Sequence, residues 1–137
     1  MDIRETNKRY EEIAEKLVNT EDIFKYIKNS NVSICFLSSE HQKTNKGKLV
    51  LGQCEKVQDK YKWAIPYDFT ITLFEPNIEG LTEEQVEAVI FHELLHVGID
   101  KHESGEEIYY IVPHDLEDFK AVIERFGTNW AEPKGAI

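Results

Sequence analysis

His92-Glu93-Leu94-Leu95-His96 puts two imidazoles and a carboxylate on one short stretch in the H-E-x-x-H arrangement. Residues four apart lie one turn above each other on a helix, so both rings can face one ion. Glu93, beside the first histidine, then projects next to that ion, within reach of a water bound to it. Zinc held by three protein ligands with an open fourth position lowers the pKa of that water to about 7. A neighbouring carboxylate can take the proton as the water attacks an amide carbonyl. The pattern therefore points to one Zn2+ ion, to Glu93 as general base, and to hydrolysis of a peptide bond.

The residues before the motif support a helix. Thr82 is a capping residue and Gln85, three positions on, completes a capping box. Val86, Val89, Ile90, Leu94 and Val97 follow helical apolar spacing, which predicts a helix from Leu81 to about Ile99, with Gly98 helping to end it. Ionisable groups in so apolar a helix are costly unless paired or liganded.

Outward from the motif, residues from about Glu5 to Lys28 carry helical spacing at Tyr10, Ile13, Ala14, Leu17, Ile23, Phe24 and Ile27. Asn19-Thr20 is a possible break, with Thr20 capping a second helix. Val32–Leu37, Lys48–Val57 and Tyr61–Phe74 read as strands, with Pro66 marking an edge or a break in the last of them. The basic stretch His41–Lys48 reads as a solvated loop. Ile108–Val112 is a short extended segment, and Pro113 leads into a final helix, His114–Phe126, that Gly127 would cap. The expected class is α+β, with helices flanking a small, mostly antiparallel sheet and the motif helix packed on one face.

The chain has 137 residues, enough for one core, and is expected to be a single domain over 1–137. Its 26 acidic and 16 basic residues give a net charge of −10, which argues against a general nucleic-acid binder. No run approaches the roughly 20 apolar residues of a membrane span, and the opening residues lack an apolar segment. A cytosolic location without membrane association is expected, and Cys35 and Cys54, with no CxxC pairing, are expected to be reduced thiols.

Two motif histidines need a third ligand. His102 lies ten residues after His92, imitating H-E-x-x-H-x-x-G-x-x-H, but the glycine stands at 98 where that motif wants 99. Met1 is the only methionine, so no Met-turn lies beneath the site. His114 is better placed, because Ile111-Val112-Pro113 gives it a fixed, apolar lead-in. An acidic ligand from Glu117, Asp118 or Asp100 is a further alternative. Asp115 is the first candidate to orient a ligating imidazole, Tyr110 or Tyr109 to donate to a developing oxyanion, and Asp68 to bind a ligand or the backbone.

Gly52-Gln53-Cys54, Lys62-Trp63 through Tyr67-Asp68-Phe69, His92–Val97, and Pro113-His114-Asp115 with Phe119, Gly127 and Trp130 resemble the putative phage metallopeptidase family, from about Tyr10 to Trp130. The resemblance implies a minimal zincin-like domain, a zinc-dependent peptidase encoded by phages or prophages, acting on a protein or peptide. It matches His92, His96 and His114 to the metal positions and Glu93 to the catalytic one. An extended substrate is expected to add to an exposed sheet edge, taken here as the Tyr67–Phe74 strand. The alternative is a metal-stabilised protein-binding module without turnover, to which a general base beside an open coordination position would be of no use.

Overall fold

The structure, a computed structural model, describes residues 2–114 and 125–126. In chain order its elements are β1 (Arg4–Thr6), α1 (Lys8–Thr20), a 3-10 turn (Asp22–Phe24), α2 (Lys25–Lys28), β2 (Ile34–Ser39), β3 (Thr44–Asn45), β4 (Lys48–Leu49), β5 (Gly52–Lys56), a second 3-10 turn (Asp59–Tyr61), β6 (Phe69–Phe74), α3 (Glu75–Ile78), α4 (Glu83–Leu94), β7 (Val97–Lys101) and β8 (Glu107–Ile111). The class is α+β. The main sheet has the order β1-β2-β6-β5. Its β1–β2 and β6–β5 pairings are antiparallel and its β2–β6 pairing is parallel. Two small antiparallel hairpins, β3–β4 and β7–β8, stand apart from it.

The core is built on one face of the sheet. Phe69, Ile71 and Leu73 of β6, all at 0 % exposure, meet Tyr10, Ala14 and Leu17 of α1 and Val86, Val89, Ile90 and Leu94 of α4. Each such side chain taken from water contributes about 1.5–3 kcal/mol. Helix α4 is buried on nearly every side, as expected of a helix that lies inside its fold rather than on it. Both halves of its capping box form: Thr82 Oγ1 accepts from the Gln85 amide at 3.3 Å, and Gln85 Oε1 accepts from the Thr82 amide at 2.9 Å. The other face of the sheet is polar near β1, where Arg4 donates to Glu55 and Thr72 and pairs with Asp2.

Several sequence expectations are corrected. Helix α4 stops at Leu94 instead of running to Ile99; Leu95 and His96 turn the chain, and Val97 and Ile99 belong to a strand. Their apolar character fits either period, and the β-branched residues around Gly98 favour the extended one. Glu5 lies in β1, and α1 begins only after Asn7, whose side chain accepts from the Tyr10 amide at 3.0 Å. Thr20 does not cap a second helix; its hydroxyl turns back to the Lys16 carbonyl at 2.7 Å.

The expected strand Tyr61–Phe74 is extended only from Phe69; the part before it is the 3-10 turn and a loop through Pro66. Lys48–Val57 is likewise two strands, the first a short hairpin arm whose turn places Lys46 and Gly47 at φ 52° and 78°, the positive values such hairpins require. Within the main sheet β6 is an inner strand, not the edge. Phe69-Thr70-Ile71-Thr72-Leu73-Phe74 is buried along nearly its whole length, whereas Gly52-Gln53-Cys54-Glu55-Lys56 is polar and half-exposed, as a terminal strand tends to be. The edge is β5. The predicted final helix and its Gly127 cap lie outside the described residues, apart from Arg125 and Phe126, which are helical. Phe126 packs edge-on against Phe91 with centroids 5.5 Å apart, and Arg125 pairs with Glu21 and Glu87.

Candidate metal centre

His92 sits in the last turn of α4 and His96 two residues past its end, where the His96 amide donates to the Glu93 carbonyl at 3.1 Å. That local turn keeps the second ring beside the first, with centroids 5.2 Å apart. His114 comes from the far side of the β7–β8 hairpin and meets both, at 4.8 Å from the His92 ring and 4.6 Å from the His96 ring. One nitrogen from each of the three lies within 4.8 Å of the others, and the Nε2 atoms of His92 and His114 are 2.9 Å apart. Tetrahedral zinc with bonds of about 2.0–2.1 Å separates its ligand nitrogens by roughly 3.3 Å, so the donor set suits such an ion. The carbonyl end of α4 adds negative potential where a cation would sit.

The strand register explains how residues so far apart in sequence meet. Val97 pairs with Ile111, and the next pair outward continues the ladder: the Val112 amide donates to the His96 carbonyl at 2.8 Å. The same Val112 carbonyl takes Nδ1–H of the His96 ring at 2.6 Å. This bond leaves Nε2 of His96 as the lone-pair nitrogen and fixes the ring plane, which is what a ligating imidazole needs from its surroundings. Two residues beyond Val112, His114 is carried back over the end of α4. Asp115, expected to do the orienting, lies outside the described residues, as do Glu117 and Asp118. Val112 is the orienting group that sequence reasoning missed. A backbone carbonyl leaves no residue-type signal, but the hairpin register, once known, points to it.

The other candidates lie elsewhere. His102 is exposed in the hairpin turn, its ring 3.2 Å from the Ser104 hydroxyl and its amide donating to the Glu106 carbonyl. Asp100 faces solvent in β7 and accepts from the Lys101 amide. The Tyr110 ring lies across Gly98, where an added Cβ would come within 2.5–2.7 Å of it. Tyr109 packs edge-on against Phe69 and donates to Glu107. Asp68 accepts from the Ser33 amide and from Lys62, bonds that outweigh the cost of its burial and hold its carboxyl below the usual range. It anchors the loop after β5.

Glu93 is 6 % exposed, with Oε2 4.0 Å from His92 Nε2. Strand β5 passes directly over it: a Cβ added to Gly52 would stand 3.1 Å from Val89 Cγ1, 3.2 Å from Glu93 Cγ and 3.3 Å from Glu93 Oε2. Cys54 follows on the same face; burial, with the Glu93 carboxylate adding to it, pushes its thiol up. It is therefore protonated and poorly suited to ligate or attack. Cys35 and Cys54 are both free thiols.

An α+β fold in which three imidazoles converge beside a buried carboxylate defines a centre able to hold a metal ion. The sequence profile of the family described as Putative phage metallopeptidase matches residues 3–135, and the chain belongs to that family. Comparison with curated proteins and with solved structures gives no match. Among the described residues no helix is long and apolar enough to cross a membrane.

Proposed function

We propose that this chain is a zinc-dependent metallopeptidase of phage or prophage type, with His92, His96 and His114 as ligands to one ion and Glu93 as general base. The observation that carries the reading is the convergence of those three imidazoles with Glu93 Oε2 4.0 Å from the His92 nitrogen. When bound, zinc supplies Lewis acidity and a coordinated water whose pKa is about 7. Glu93 is the residue that would take up the proton released as water adds to the peptide carbonyl and would return it to the departing amine. Gly52 of β5 lies against the carboxylate, which at 6 % exposure is largely screened from bulk water.

The substrate reading is an extended peptide added to β5. The Phe74 amide bonds to the Leu51 carbonyl and the Val57 amide to the Asp68 carbonyl, so in this antiparallel ladder odd-numbered residues of β5 face β6. The amide and carbonyl groups of Gly52, Cys54 and Lys56 then face outward, and a peptide strand pairing with them runs past Glu93. Tyr110 enters this reading as the ring that seats the hairpin, and proteins or peptides are the partners.

The test is a pair of measurements on purified protein. Metal analysis should find one zinc per chain, and cleavage of an internally quenched peptide library should fall about 10²- to 10⁴-fold in Glu93→Gln while metal content is kept. Turnover unchanged in that variant removes Glu93 from the mechanism. Full metal loading with no cleavage of any peptide or protein favours the binding module.

A further inference from the structure

We propose that Gly52 is a positioning residue for Glu93: with no side chain there, the backbone of β5 lies against the carboxylate and fixes where it meets a substrate carbonyl. The inference rests on the peptidase reading and extends it to a residue outside the H-E-x-x-H stretch. Glycine inside a strand weakens it and often marks a close approach. At Gly52 backbone freedom is not the reason. The positive-φ glycines of the chain's described residues are Gly47 and Gly105, so Gly52 has a backbone that any residue adopts. What it gives is space.

That space is bounded by two side chains of unequal freedom. An added Cβ meets Val89 Cγ1 at 3.1 Å and Glu93 at 3.2 and 3.3 Å, each closer than ordinary van der Waals contact. Val89 lies one helical turn before Glu93, is 1 % exposed and is packed into the core, so it has nowhere to retreat. Moving β5 away would break the ladder it shares with β6, from Gly52↔Leu73 to Lys56↔Phe69. The Glu93 side chain is the compliant partner. A methyl group at 52 therefore displaces the carboxylate by a few tenths of an ångström, on the side from which β5 would bring a peptide.

Gly52→Ala is the direct test, with four readouts on the full chain. The expected result is kcat lower by roughly 10- to 100-fold on the quenched peptide library. KM and zinc affinity should stay within about threefold, and Tm should move by only a few degrees, since the gain of alanine over glycine in a strand is offset by its tight contact with Val89. A crystal structure of the variant should find the Glu93 carboxylate shifted while His92, His96 and His114 keep their places. Adding Val89→Ala opens room for the methyl group and should restore at least part of kcat in the double variant. A merely structural glycine would instead lower Tm while leaving kcat of the folded protein and the place of the Glu93 carboxylate unchanged. Wild-type kcat in Gly52→Ala, or a fall matched by equal loss of zinc affinity, overturns the proposal. If the wild-type protein binds zinc yet cleaves nothing, the peptidase reading fails, and the structure of Gly52→Ala still decides: an unmoved Glu93 carboxylate overturns the positioning role by itself.

Discussion

The candidate centre has two halves built by different means. His92 and Glu93 ride on α4, a helix capped at its start and buried on nearly every side, and their side chains are 12 % and 7 % exposed. His114 is exposed and is delivered by a two-stranded hairpin whose second strand is tied to the helix end by the pairing of His96 with Val112. The helical half is held by core packing, the hairpin half by register. Such a division makes the first half a property of the whole fold and the second a property of a few strand bonds, so each should fail under different substitutions.

The largest effect should come from the proposed ligands. His92→Ala and His114→Ala should each weaken zinc binding by at least about 100-fold, more than loss of an orienting partner costs, while His102→Ala stays within twofold. Competition with a chromophoric chelator measures all three. An unchanged constant in His114→Ala together with a loss in His102→Ala would reassign the hairpin half. Next in size is Gly98→Val, whose branched side chain meets the Tyr110 ring. It should tilt the hairpin and weaken zinc binding about 10- to 100-fold, with the helical circular dichroism of the apo protein unaltered. If affinity survives, register does not hold His114.

Thr82→Ala attacks the other half. Losing the cap should lower stability by about 1 kcal/mol, read as a lower midpoint in urea, with zinc affinity unchanged wherever the protein is folded. The smallest effect is a control away from both halves. Arg4 and the Ser39 hydroxyl hold Asp2 at about 2, below its ordinary 3.8. That depressed value means the pairing stabilises the fold fully above pH 4 and is lost as pH falls toward 2. Asp2→Asn should remove a small part of the acid dependence of unfolding between those limits and leave the neutral-pH midpoint of metal binding where it was.

The same division decides what could be read from the chain. The helical half was legible because its signals are local: Thr82 and Gln85 are three residues apart, His92 and His96 four, and the apolar spacing between them has one period. His114 was reachable from its lead-in Ile111-Val112-Pro113, but the reason it meets the other two was not, since strand pairing leaves no mark in residue types. The end of α4 was misread because Val97 and Ile99 satisfy a helical stripe and a strand face equally well. The edge strand was misassigned because Pro66, read as the mark of an edge or a break, lies in the loop before β6, and Phe69–Phe74 itself is an inner strand buried along nearly its whole length. Strand β1 went unseen since Arg4-Glu5-Thr6 is three residues long and joins the sheet through Ser39, Ser38 and Leu37, far away in sequence.

The hairpin that brings in His114 also has a far end. There the chain reverses over His102-Glu103-Ser104-Gly105-Glu106, with Gly105 at φ 89° and nothing within 4 Å of where its Cβ would be. Five paired residues on each arm, Val97–Lys101 and Glu107–Ile111, separate that bend from the ion's seat, roughly 16 Å at strand rise. Extra sequence spliced between Ser104 and Gly105 would therefore lengthen only the tip. It offers a handle for a fluorophore or a capture tag on an otherwise intact molecule.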